Sequence, residues 1–237
     1  MNRNRGLDID RIAFFGRTYE EYLKIFDLDE EILDRGEILD CPAGASSFTA
    51  ESLQKGFSVT ACDLLYDLSI EALERKGRDD IRHVFERFDE VSDLYVWKCY
   101  KSRDEVIALR NRALELFSKD FPEGLTRGNY VRAALPLLPF PDRRFALVLS
   151  GHFLFLYADR LDIDFHVSCI RELLRVCSGE VRIFPLTGLD VRPYPHLHEI
   201  LCLLRSEGIE ASVVKVPFEF QRGANMMLRL RRTDGQI

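Results

Sequence analysis

Residues 37–63, EILDCPAGASSFTAESLQKGFSVTACD, constrain the fold more than any other stretch of the chain. Glu37 to Asp40 reads as a short buried strand, and Cys41 to Ala45 as a turn of small residues. Ser46 or Ser47 can cap the helix that follows, which runs to about Lys55 and stops at Gly56. Phe57 to Cys62 is a second strand, ending at Asp63. Two strands joined through a helix make a βαβ unit, so they must lie parallel. The chain is thereby committed to an α/β architecture.

The remainder extends that plan. Residues 18–34 have helical spacing, with Tyr19, Tyr22, Leu23 and Phe26 on one stripe and Thr18 as N-cap. Residues 67–128 are charge-rich and helix-periodic. They predict helices near 68–76, 79–99 and 102–119, then a breaker region at Pro122, Gly124 and Gly128. An ordinary crossover needs one helix, so about 67–128 reads as a helical insertion, placed to act as a lid or substrate wall. Its Tyr95, Trp97, Tyr100 and Phe117 are expected to form core between the inserted helices. Strands follow at 130–134, 145–150 and 181–185, with helices at 165–176, closed by Gly179, and 197–206, closed by Gly208. The last two strands, 211–216 and 226–231, are joined by Pro217 to Asn225, too short for a crossover helix, so they should pair antiparallel. The expectation is one domain over 1–237, with an N-terminal helical cover at 10–35 and the insertion between the second and third strands.

Charge and composition narrow the function. The 33 Lys and Arg against 39 Asp and Glu give a net charge of −6, which argues against a nucleic-acid partner. The first residues are polar with no apolar segment behind them, and no apolar run reaches the ~20 residues that span a bilayer. A cytoplasmic protein without a membrane partner is expected. The six cysteines form no C-x-x-C pair and read as reduced thiols. His196 and His198, two apart at a helix start, lie on different helix faces, and no metal site is expected.

The chemistry concentrates in the first βαβ unit. Backbone N–H groups of its turn and helix start are expected to be unpaired and to suit a polar or anionic ligand group. Gly44 sits where backbone must approach that ligand closely. Asp63, 23 residues after Asp40, can accept hydrogen bonds from both hydroxyls of a ribose. A nucleoside-containing cofactor is implied, and two kinds compete. A dinucleotide needs several glycines for its pyrophosphate, and Asp40 would repel it. S-adenosylmethionine has no phosphate and carries an ammonium group, which Asp40 can help to hold.

At these residues the sequence resembles the class I S-adenosylmethionine-dependent methyltransferases. ILDCPAGASSF is similar to their acid-plus-glycine turn, VTACDLLY to the strand ending in the ribose-binding acid, and LPFPDRRFALVLSGHFLFLY to the segment carrying the fourth strand and its loop. The C-terminal strands match a seventh strand inserted antiparallel beside the fifth. Two departures stand out: only Gly44 remains of up to three turn glycines, and Ala134 occupies the position of a frequent adenine-binding acid. The resemblance implies a Rossmann-like, seven-stranded, mostly parallel sheet with one antiparallel C-terminal strand and helices on both faces. It also implies that Asp40, Cys41, Pro42, Ala43, Gly44 and Ala45 wrap the methionine end of the cofactor, Asp63 holds the ribose and Leu64 lies on the adenine. Ser150, Gly151 and His152 would line the sulfonium, Arg17 would pair with the methionine carboxylate, and Tyr19 would pack on the cofactor.

The expected activity is methyl transfer to an oxygen or nitrogen of a small-molecule acceptor, with S-adenosylhomocysteine as product. His152 and Tyr157 are the candidate catalytic residues. A cofactor-binding module without turnover and a nicotinamide-dependent oxidoreductase stand as alternatives. The bland readings are that Gly44 is an ordinary turn glycine, His152 a hydrogen-bonded loop histidine and Arg17 a solvated side chain. The stretch from Phe218 to Gly223 is either a plain hairpin loop or a cover over the acceptor.

Overall fold

The short segment between the last two strands leaves them no choice but a hairpin, and this sets the edge of the sheet. The computed structural model describes residues 6–233. Its strands are β1 (Ile38–Asp40), β2 (Val59–Asp63), β3 (Tyr130–Arg132), β4 (Phe145–Gly151), β5 (Cys177–Phe184), β6 (Ile209–Lys215) and β7 (Met226–Arg232). They form one seven-stranded sheet in the order β3-β2-β1-β4-β5-β7-β6. β1 to β5 are parallel, and β7 runs antiparallel to both β5 and β6.

Helices α1 (Tyr19–Ile25), α2 (Glu30–Leu33), α3 (Phe48–Gln54), α4 (Ile70–Phe88), α5 (Arg103–Arg127), α6 (Ile163–Val176) and α7 (Leu197–Ser206) surround the sheet. Strand side chains alternate between its two faces. Ile38, Val59, Ala61, Leu147 and Leu149 join the core containing α1, α3, α4 and α5. Leu39, Cys62, Val148, Val181, Ile183 and Leu228 join the core containing α6 and α7. Among the described residues no helix is long and apolar enough to cross a membrane.

Several local expectations are corrected by tertiary packing. The 18–34 segment is two helices. Thr18 and Glu21 form a reciprocal capping box for α1, Asp27 then adopts a φ of 51°, and Asp29 recaps α2 through a 2.8 Å bond from Ile32 N–H. The insertion has two long helices rather than three. Gly77 does not break α4, because Leu114 of α5 packs there and a Cβ at 77 would lie 2.8 Å from it. α5 runs through Pro122 and Gly124 and ends only at Gly128, with φ 82°. Pro122 forfeits one helix bond, but Phe117 and Phe121 pack beside it on Tyr66 and Tyr130. Gly124 admits the Tyr130 ring, 2.4 Å from where a Cβ would sit. Gly179 lies inside β5 instead of ending α6, since a Cβ there would meet the Ala146 carbonyl at 2.3 Å.

The expected core of Tyr95, Trp97, Tyr100 and Phe117 is divided. Phe117 packs with Tyr66 and Phe14, whereas Tyr95, Trp97 and Tyr100 pack on Phe220 from the β6–β7 connection. Backbone bonds lock this union: Val96 N–H donates to the Phe220 carbonyl at 2.7 Å, and Arg222 N–H to the Leu94 carbonyl at 2.8 Å. The 218–223 stretch is therefore a cover docked on the insertion, not a free hairpin loop.

Candidate functional site

The chain passes from β1 outward through β2 and β3, then returns to place β4 on the other side of β1. A crevice opens at such a reversal, beyond the carboxyl ends of the strands. Here it is a cavity of about 490 Å³, within the ~300–1,000 Å³ range of small-molecule sites. It brings together Arg17, Cys41, Pro42, Ala43, Gly44, Asp63, Leu64, Gly151, His152 and Tyr157 from the predicted set.

One end is built on Asp63. Its Oδ2 accepts the Gly44 N–H and its Oδ1 the Leu65 N–H, each at 3.0 Å. Each oxygen retains a lone pair for a ligand hydroxyl. Burial pushes the Asp63 pKa upward, while the Leu65 and Gly44 N–H groups oppose the shift. Gly44 has a φ of 57°, and an added Cβ would lie 3.1 Å from the Phe15 carbonyl oxygen. Both facts demand glycine.

Arg17 also lines the cavity. It is half-buried and its Nε is sealed from solvent without a partner. Among the described residues no group accepts from its guanidinium. Burial, with the nearby Arg110 charge, lowers its pKa to about 10, so it stays cationic at neutral pH. The Glu21 charge offsets part of the cost of burying it, but no hydrogen bond holds the guanidinium, which is left able to receive an anionic group.

The roof falls within the helical cover expected at 10–35, but its residues are not helical, and α1 begins only at Tyr19. Residues 12–17 cross the turn as an extended strap, and Ile12, Ala13, Phe14, Phe15, Gly16 and Arg17 all line the cavity. Gly16 lies on the turn so closely that a Cβ would come 2.0 Å from Ser46 N. The Arg17 carbonyl accepts from Ser47 N–H at 3.1 Å and from Ser46 Oγ at 3.0 Å. This corrects the expectation of unpaired turn donors. Ala43 N–H goes to the Cys62 carbonyl, Gly44 N–H to Asp63, Ser46 N–H to the Ala43 carbonyl and Phe48 N–H to Ser46 Oγ. Gly16 was the available signal, being a glycine in an otherwise bulky IAFFGR run.

Four predicted residues lie outside the cavity lining. Asp40 is fully buried beneath Tyr22, whose hydroxyl donates to its two carboxylate oxygens at 2.9 and 3.1 Å. Burial pushes the Asp40 pKa up to about 8, against the Tyr22 hydrogen bond and with the Asp63 charge adding. Tyr22, on the same α1 stripe, takes the lining position. Tyr19 instead stacks on Phe48 at 5.8 Å. Ala45 is buried in the turn, and Ser150 is buried with an unpartnered Oγ.

His152 ends β4 with a φ of 56°, its N–H bonded to the Phe184 carbonyl at 2.6 Å. A non-glycine residue held there is strained, and such strain gathers at functional sites. Burial, then the charges of Arg17 and Arg110, hold its pKa well below the ordinary value, so the imidazole is neutral. Tyr157 Oη accepts the Ala13 N–H at 3.1 Å, tying the β4 loop to the strap.

A buried ion pair fixes the cover. Arg110 of α5 grips the Glu21 carboxylate of α1 through both terminal nitrogens, donates to the Gly16 carbonyl at 2.8 Å and contacts Tyr100 at 2.9 Å. Burial would raise the Glu21 pKa, but the Arg110 charge and hydrogen bond hold it at about 2. No periodicity argument pairs Glu21 with Arg110 across 89 residues.

The strand order, with its antiparallel β7 and strand-end crevice, defines the class I S-adenosylmethionine-dependent methyltransferase fold. The chain belongs to the same family as the uncharacterized protein MJ0045 of Methanocaldococcus jannaschii, with 34% identity over 232 residues, covering 96% of this chain and 100% of that protein. No protein-family model matches the chain. Solved structures similar in architecture include a TehB-like S-adenosylmethionine-dependent methyltransferase from Corynebacterium glutamicum, at 14% identity and TM-score 0.46, covering 90% of this chain and 97% of that one. A methyltransferase from Aquifex aeolicus aligns at 16% identity and TM-score 0.40, covering 89% and 90%. One from Methanosarcina mazei aligns at 14% and 0.43, covering 85% and 95%. The fold assignment rests on the chain's own strand order.

Proposed function

We propose that the chain binds S-adenosylmethionine in the strand-end cavity and transfers its methyl group to a small-molecule acceptor. The observation that carries this reading is that one cavity is lined both by the Asp63 carboxylate and by the Arg17 guanidinium, whose Nε has no partner. Asp63 accepts the ribose hydroxyls, Leu64 and the Ala133–Leu135 segment flank the adenine, and Arg17 takes the methionine carboxylate. Tyr22 stands between Asp40 and the ligand, so Asp40 acts through the Tyr22 hydroxyl. Bound in this way, the cofactor supplies an already activated methyl group, and the protein's remaining task is alignment.

The turn favours this ligand over a dinucleotide. A pyrophosphate needs free backbone donors, and those of Ala43, Gly44, Ser46 and Ser47 are already used within the protein. The test is calorimetric. S-adenosylhomocysteine should bind, NADH should not, and Arg17→Gln should weaken S-adenosylhomocysteine by roughly tenfold or more while sparing 5′-methylthioadenosine, which lacks the carboxylate. Equal loss for both ligands removes Arg17 from the carboxylate, and binding of NADH alone removes the reading.

A further inference from the structure

A second cavity of about 90 Å³ meets the first along Ala13, Phe15, Arg17, His152, Leu156 and Tyr157, which line both. Its far wall is aromatic, made of Phe85, Phe88 and Tyr95 from the insertion and Phe218 and Phe220 from the β6–β7 cover. These rings brace one another: Phe88 stacks on Phe220 at 5.9 Å, and Tyr95 packs on Phe220 at 4.9 Å. The wall is thus held by backbone and ring contacts between two segments distant in sequence.

The charged side chains lining this space are of one sign. Its lining contains Arg17 and Arg110 but no carboxylate. The nearby Glu21 is consumed by Arg110. Tyr157 accepts from Ala13 N–H, which leaves its own hydroxyl proton to donate. His152 supplies a neutral imidazole as acceptor. A protonated amine here would meet no carboxylate in the protein's own lining, only the Arg17 and Arg110 charges. A hydroxyl group finds an acceptor for its hydrogen bond and donors for its oxygen.

Resting on the methyl-transfer reading, we propose that this second cavity is the acceptor subsite and that it takes a one-ring aromatic compound through an ionisable hydroxyl, a phenol. The size sets a limit: about 90 Å³ is smaller than an engineered cavity of ~150 Å³ that holds benzene, so one ring must share the mouth toward the first cavity and a second ring finds no room. The hydroxyl proton is lost to bulk water, and the oxygen, beside the Tyr157 hydroxyl and the Arg17 and Arg110 charges, forms the O–CH3 bond with its own electron pair. The S–CH3 bond breaks in the same step, and its electrons stay on sulfur. No oxidant or reductant is needed.

The test uses the whole protein with 4-fluorophenol, benzylamine and 2-naphthol as probes, read by fluorine NMR and calorimetry with and without S-adenosylhomocysteine. 4-Fluorophenol should bind, and benzylamine and 2-naphthol should bind at least ~tenfold more weakly. Ala224→Phe, which fills the cavity from its lining, should abolish 4-fluorophenol binding and leave S-adenosylhomocysteine affinity within about twofold, since residue 224 is absent from the first cavity. If that variant does not fold, Phe88→Ala should admit 2-naphthol. With S-adenosylmethionine added, mass spectrometry should find 4-fluoroanisole. Tight binding of benzylamine, 4-fluorophenol affinity indifferent to both variants, or no 4-fluorophenol binding beside bound S-adenosylhomocysteine would overturn the subsite. Binding of 4-fluorophenol without any binding of S-adenosylhomocysteine would retire the cofactor reading instead.

Discussion

Asp63→Asn separates two jobs that the Asp63 carboxylate performs at once. In the native protein its two oxygens receive the Gly44 and Leu65 N–H groups, each at 3.0 Å. An amide offers one oxygen, so one of those N–H groups must face an NH2. Leaving a buried donor unpaired costs ~1–3 kcal/mol. Part of that is recovered because burial already makes the Asp63 charge unfavourable, as its upward pKa shift records. The net effect on stability should be ~1–2 kcal/mol, a fall in Tm of a few degrees by calorimetry. The effect on ligand affinity is separate and larger. A charged acceptor for the ribose hydroxyls becomes a neutral one, losing ~1.5–3 kcal/mol, or roughly tenfold to a hundredfold in the Kd of S-adenosylhomocysteine. Isothermal titration at a temperature where the variant is fully folded reads this directly. A lowered Tm with S-adenosylhomocysteine affinity within about twofold of the native protein would mean that Asp63 only braces the turn, and the ribose assignment would fail.

Three further outcomes follow from the buried charges and the strap. Asp40 keeps its proton in the folded state up to about pH 8, whereas the unfolded chain loses it near ~3.9. Its stabilisation is therefore fully present below ~4 and is lost as pH rises through about 8, by up to ~1.4 kcal/mol per pH unit. His152, held neutral, has the opposite sign below its ordinary ~6.5, so the decline should be clearest in Tm between about pH 6.5 and 8, and Asp40→Asn should flatten it. Arg110→Met leaves Glu21 buried without its partner and should cost ~3–5 kcal/mol in chemical denaturation, with Glu21→Gln added to it restoring part of the loss. Gly16→Ala places a methyl 2.0 Å from Ser46 N; the strap must lift, and protease sensitivity should rise near residues 10–18 as S-adenosylhomocysteine binding falls.

The βαβ unit was legible because its signals are local. Chain length between strands dictates parallel pairing, Gly56 ends a helix, and short runs such as Ile38–Asp40 and Val59–Asp63 are buried throughout. The same holds for the β6–β7 hairpin, where the connection is too short to cross over. Asp63 and Gly44 were placed by their positions in that unit, and both line the cavity, whereas Arg17, outside the unit, was reached only through the family resemblance. Insertion boundaries were not, since Gly77, Pro122 and Gly124 are breakers only in isolation. In the folded protein Leu114 and Tyr130 occupy the space that those residues leave, and packing outweighs propensity.

The amino-acid sequence alone thus determined the sheet, its one reversed strand and the end at which the cavity opens. Tertiary structure decided which side chains line that cavity. It laid residues 12–17 across the turn, put Tyr22 rather than Asp40 at the surface of the cavity and joined Phe88 to Phe220 from opposite parts of the chain. Hydrogen bonds and hydrophobic periodicity act over a few residues and leave their mark in the order of amino acids. Close approach between distant segments is governed by shape and by which buried charges find each other, and Glu21 and Arg110 meet only once the chain has folded.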